Sequence, residues 1–221
     1  DDNRLKEIWQ DLDKRLADLD FEAIWPGFAP VDFALYTSDV MCFRGELAGK
    51  PDSFFGNTSV DYQGARIAIW NLSGTKIESP DSLDRLAANL VHEMFHAFQL
   101  NHLGGLQNLP PDLLGPDGME WLAEVTESEM AELNAAHASE GSALRAALEA
   151  ETEDEARALA AEFLRLRQAR YAALKARYAP DLISYERSVE WIEGPARFVE
   201  LALIQRAPEL DQDRLPAPLV F

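Results

Sequence analysis

His92-Glu93-Met94-Phe95-His96 sets two imidazoles four residues apart, with a carboxylate directly after the first. On a helix, residues i and i+4 lie one turn apart on one face, so both rings can reach the same ion while Glu93 occupies the adjacent arc. Neutral imidazoles hold Zn²⁺ without cancelling its charge, which leaves it electrophilic enough to bring the pKa of bound water to about 7. A carboxylate at Glu93 can then accept that water's proton as general base and return it to a leaving amine. Residues of these types at this spacing suit metal-assisted hydrolysis.

A catalytic zinc keeps one position open and needs a third protein ligand, for which three residues stand out. His102 lies in His92-Glu93-x-x-His96-x-x-Gln99-x-x-His102, a spacing that resembles the metzincin pattern except that Gln99 stands where glycine lets the chain turn back. If the helix runs on through residue 101, His102 falls about 120° from His96 around the axis, away from the metal face. Glu120 opens Glu120-Trp121-Leu122-Ala123, and Glu193 lies in Trp191-Ile192-Glu193-Gly194-Pro195-Ala196. Both read Glu-x-x-Ala, and a small residue one turn after the ligand allows a second helix to come close. Gly194 should thin that surface further. Glu186, Glu190, Glu193, Arg197 and Glu200 also recur at helical intervals, as on a charged face where Glu193 pairs with Arg197.

The two motifs together resemble the gluzincin metallopeptidases, of the broad peptidase MA type. There a His-Glu-x-x-His helix is joined by a later helix reading Trp-x-x-Glu-Gly-x-Ala. Trp191 to Ala196 matches nearly letter for letter, one residue shorter between Trp and Glu, and Phe198 stands where an aromatic residue commonly follows. The resemblance spans about fifteen residues. It implies a zinc cofactor held by His92, His96 and Glu193, Glu93 as general base, and a peptide or protein substrate. It also implies an oxyanion donor from outside the ligand set, for which Tyr185 and Tyr178 are candidates, and an extended substrate lying beside an edge strand at Ala65 to Asn71. The 96 residues between His96 and Glu193 exceed the spacing of the best-known aminopeptidases, which keeps Glu120 open. No Gly-x-Met-Glu-Asn segment precedes the motif, so exo- and endopeptidase action both stay open. The alternative is a catalytically silent zincin-like binding protein, against which the intact Glu93 argues.

The elements that must position these residues follow from periodicity. Leu5, Ile8, Trp9, Leu12, Leu16 and Leu19 predict an amphipathic helix over the first twenty residues. Val31 to Arg44 and Ala65 to Asn71 read as strands, with Gly45 to Tyr62 as loop or short hairpin. Ser79-Pro80-Asp81-Ser82 predicts the start of the motif helix, which should stop before Gly104-Gly105. Gln107 to Gly118 reads as a loop and Met119 to Ala138 as a helix. A break follows at Ser139 to Ser142, then helices over Leu144 to Tyr178 and Ser184 to Arg206, and an irregular Pro-rich tail. The acidic Glu149 to Glu155 run and the basic Arg165, Arg167, Arg170, Lys175, Arg177 series read as oppositely charged solvated faces. The expected fold is a single α+β zincin-like domain over 1–221, with a helix and small sheet in 1–80 and a helical part, 81–221, carrying the metal site.

Composition narrows the remaining roles. Among 221 residues, 39 acidic against 20 basic side chains give a net charge of −19, which argues against nucleic-acid and membrane-surface partners. The lone Cys42 excludes an internal disulfide and a thiolate cage, so any metal must be held by His and carboxylate. A cysteine-poor interior suits the cytosol, while a start at Asp1 without Met leaves secretion after leader removal open. Oligomeric state is not legible.

Overall fold

The spacing of Leu5, Ile8, Leu12 and Leu16 gives α1 (Asp2–Ala17) a single buried stripe. In the computed structural model, which describes residues 2–75, 77, 79–102, 126–177 and 181–206, a short helix α2 (Phe21–Ile24) follows. The Asp20 carboxylate caps it by accepting from the Ala23 amide. Five strands come next: β1 (Phe33–Tyr36), β2 (Val40–Phe43), β3 (Glu46–Gly49), β4 (Thr58–Tyr62) and β5 (Ala65–Asn71). They form one mixed sheet in the order β3-β2-β1-β5-β4, with β1 and β5 parallel and the other neighbours antiparallel.

Alternation along the strands divides the core. Phe33, Leu35 and Ala68 face the helices, whereas Ala34, Tyr36, Ile67 and Ile69 join Phe54 and Met41 in a second cluster. The hairpins β2–β3 and β4–β5 turn on Arg44-Gly45 and Gln63-Gly64, all four residues having positive φ, the geometry whose twist matches that of paired strands. The segment 45–62 thus supplies two strands beyond the loop or short hairpin expected there. One consequence overturns the edge-strand expectation for Ala65 to Asn71. β5 is bonded to β1 over Ala68–Asn71 and to β4 over Ala65–Ile69, which makes it an interior strand; β3 and β4 hold the edges.

The motif helix, α3 (Pro80–His102), starts as its sequence predicts. Pro80 takes the first helical position, the Ser79 hydroxyl accepts from the Ser82 amide, and the Ser82 hydroxyl accepts from the Ser79 amide. Its Leu83, Leu86, Leu90, Val91, Met94 and Phe95 are buried against α1 and the sheet, and the Arg15–Asp84 ion pair ties it to α1.

Three helices complete the described chain: α4 (Glu127–Glu149), α5 (Glu153–Arg177) and α6 (Asp181–Arg206). Thr126 and Glu129 form a capping box at the start of α4. The break expected at Ser139 to Ser142 is a continuous stretch of α4. The Ser139 and Ser142 hydroxyls bond back to the carbonyls of Ala135 and Ala138, and Glu140 is buried against Arg170. The chain breaks instead at residues 150–152. Arg170, expected on a solvated face, is only 6 % exposed. The expected loop 107–118, the start of the helix expected at Met119 and the Pro-rich tail lie outside the described residues.

The architecture is α+β, a five-stranded mixed sheet with a mostly helical body. The chain forms two compact units, one of Asp1–Leu109 with Glu190–Asp213 and one of Pro110–Val189 with Arg214–Phe221. Within the first unit, Ala196 and Val199 of α6 enter the same core as α1, α3 and the sheet. Among the described residues, no helix is long and apolar enough to cross a membrane.

Candidate metal centre

Burial of the apolar stripe of α3 sets the roll of that helix, and this roll places His92 and His96 together. Their Nε2 atoms stand 3.0 Å apart. From α6, Glu193 brings one carboxylate oxygen to 3.3 Å from His92 Nε2 and the other to 3.4 Å from His96 Nε2. Four donors about 2.0–2.1 Å from a tetrahedral zinc stand about 3.3–3.4 Å apart, so the observed separations approximate the edges of such a site. His92 and His96 are mostly buried, whereas the Glu193 side chain is 42 % exposed, which leaves an approach from solvent on the carboxylate side.

Each imidazole is held from behind through its other nitrogen. His92 Nδ1 lies 3.1 Å from Glu200 Oε2, and the Arg197 guanidinium donates to the other Glu200 oxygen. His96 Nδ1 lies 3.0 Å from Gln99 Oε1, while Gln99 Nε2 donates to the carbonyls of Trp191 (3.3 Å) and Ile192 (3.1 Å). Partners of this kind fix the ring orientation of metal-binding histidines. Glu200 follows Glu193 by seven residues, two turns along the same face of α6.

The electrostatics describe a pocket that favours positive charge. Burial disfavours the His92 imidazolium, but the Glu193 and Glu200 carboxylates outweigh it, with Glu93 adding, and lift His92 to about 9 in the metal-free chain. Hydrogen bonds from His92 and His96 hold the Glu193 carboxyl well below the ordinary range. Burial would raise the Glu200 carboxyl, yet His92 and Arg197 bring it below the usual value. Glu93, 8 % exposed, shifts the other way: burial lifts its pKa, only partly offset by the two imidazoles.

The structure thus brings His92, His96 and Glu193 together and buries Glu93 beside them. It does not bring in His102. Because α3 continues through residue 101, this exposed ring turns back to the carbonyl of Phe98 at 3.2 Å. Glu120, Tyr178 and the side chain of Tyr185 lie outside the described residues. Arg197, anticipated as a partner for Glu193, bonds Glu200. Gly194 does not mark a close approach, since a Cβ there would meet open space among the described residues; the small residue at the contact is the fully buried Ala196. Sequence reasoning missed Gln99 and Glu200 as supports. The seven-residue interval from Glu193 was the one signal for Glu200, and the three-residue interval from His96 was the one signal for Gln99. Compared with protein-family profiles, curated proteins and solved structures, the chain matches none.

Proposed function

We propose that this chain is a zinc-dependent metallopeptidase with a zincin-like core of the gluzincin kind, in which His92, His96 and Glu193 hold the metal and Glu93 is the general base. The observation that carries this reading is the convergence of three side chains from α3 and α6: the two Nε2 atoms stand 3.0 Å apart, and the two Glu193 carboxylate oxygens lie 3.3 Å from His92 Nε2 and 3.4 Å from His96 Nε2. Zinc bound by them supplies a Lewis acid that polarises a scissile carbonyl and acidifies water. Glu93 takes the proton of the attacking water on its carboxylate and delivers it to the leaving amine, and burial strengthens it as a base by raising its pKa. Glu200 and Gln99 keep the Nδ1 side of each imidazole occupied, so that the Nε2 lone pairs face the metal position. The exposed side of Glu193 leaves room for an extended substrate.

Elemental analysis of protein purified without added metal tests the ligand set. About one zinc per wild-type chain is expected, lost in both His96→Ala and Glu193→Ala. Full retention in Glu193→Ala would remove it from the set and turn attention to Glu120. Glu93→Gln is expected to keep zinc while hydrolysis of a peptide library falls by about 10²–10⁴-fold. Zinc-loaded wild type that cleaves nothing would favour the silent binding protein.

A further inference from the structure

Gln99 meets two chemically different neighbours, and their chemistry leaves its amide a single orientation. Backbone carbonyl oxygens only accept, so the atom facing Trp191 O and Ile192 O must be the NH₂ group. Oε1 is then left to face His96, and at 3.0 Å it can only accept. It follows that His96 carries a proton on Nδ1, and in the neutral ring this leaves the Nε2 lone pair toward His92 and Glu193.

The Trp191 carbonyl is available for a definite reason. In a helix it accepts from the amide four residues on, and here that residue is Pro195, which has no N–H. The proline inside α6 thus opens a vacancy in the helix's own bonding, and the Gln99 side chain, itself 9 % exposed, fills it from α3. Accepting His96 as a zinc ligand, we propose that Gln99 is a positioning residue, a two-ended clamp that grips the carbonyls freed or flanking at Pro195 and thereby sets the His96 tautomer and the docking of the Glu193 segment. One side chain couples the two parts of the ligand set without touching the metal position.

Ring ¹⁵N shifts of His96 in the metal-free chain, at mildly alkaline pH, read the tautomer independently of zinc. The wild type is expected to carry the Nδ1 proton, and Gln99→Leu to drift toward the Nε2–H form usual in water. Gln99→Glu keeps an acceptor for His96 but loses the donor for α6, so it should retain the Nδ1–H form. Both variants should bind zinc about 10–100-fold more weakly in a chelator competition. Pro195→Ala returns an amide to Trp191 O, so the loss caused by Gln99→Leu should shrink in that background. An Nε2–H form in the wild type, wild-type zinc affinity in Gln99→Glu, or strictly additive losses with Pro195→Ala would each overturn the clamp. A wild type that takes up no zinc yet shows the Gln99-dependent Nδ1 proton would defeat the metallopeptidase reading alone.

Discussion

Two charge clusters, one in each unit and buried to different depths, make an instructive pair. In the second unit, Arg170 spreads its guanidinium across Glu140 and Glu186, Tyr171 donates to Glu186, and Arg167 adds a bond to Glu140. Both carboxylates face a planar cation whose donors match them, so their charge is paired within the cluster, with His137 Nε2 at its margin 3.9 Å from Glu186 Oε1. In the first unit, His92, His96 and Glu193 point their donor atoms at one another, and the cation that would satisfy them is a proton on His92 in the metal-free chain. Buried charge alone therefore says little about function. A cluster whose charges already pair holds helices together, whereas one whose lone pairs converge is shaped for an ion.

Breaking the paired cluster should cost most in stability. Arg170→Leu leaves Glu140 and Glu186 buried without their cation, and a loss of about 3–5 kcal/mol is expected in denaturant unfolding, with zinc content unchanged. Loss of zinc in that variant would blur the distinction between the clusters. Glu200→Ala strikes the open cluster from behind, and calorimetric titration should show zinc binding weakened by about 10–100-fold while the carboxylate and imidazole ligands remain.

Acid and base should separate the clusters more gently. Burial would raise the Glu186 carboxyl, but Arg170 more than offsets it and holds it below its ordinary 4.5. A depressed carboxyl stabilises the fold above its unfolded pKa, so this contribution is present above pH 4.5 and disappears as pH falls below it. His92 has the opposite sign. Raised from 6.5 to about 9, it stabilises the metal-free chain below pH 6.5, and that contribution fades as pH climbs through about 9. Thermal melts across pH, with and without chelator, should show acid loss in both and the alkaline decline chiefly in the chelated sample. The smallest effect is expected from His102→Ala, whose exposed ring bonds only its own helix, and zinc content there should equal wild type.

How much of this was legible depended on whether the signal was local. α3 and β5 could be read because Ser79-Pro80, the three-and-four spacing and the run Ala65 to Asn71 state their geometry within a few residues. β3 and β4 could not. Every residue of β3 is exposed, and the turns Arg44-Gly45 and Gln63-Gly64 lack the Asn or Asp that usually announces such hairpins. The interior place of β5 depended on those strands and was missed with them. The reading of Ser139 to Ser142 as a break weighed small residues by propensity, and the buried Glu140–Arg170 pair outweighed it. At the site, His92, His96 and Glu193 were marked by motif, whereas Glu200 meets His92 across 108 residues and Gln99, one turn from His96, shows its role only through Trp191, 92 residues on, where no spacing rule operates.

That separation also gives the site a place in the order of synthesis. Drawing Glu193 to His96 closes a loop whose chain entropy costs about 4 kcal/mol, and the chain emerging from the ribosome holds the two imidazoles with neither the Glu193 nor the Glu200 carboxylate until α6 has been made. On the proposed reading, metal capture with full affinity then waits for α6, and a chain cut before α6 is left with two of the three proposed ligands.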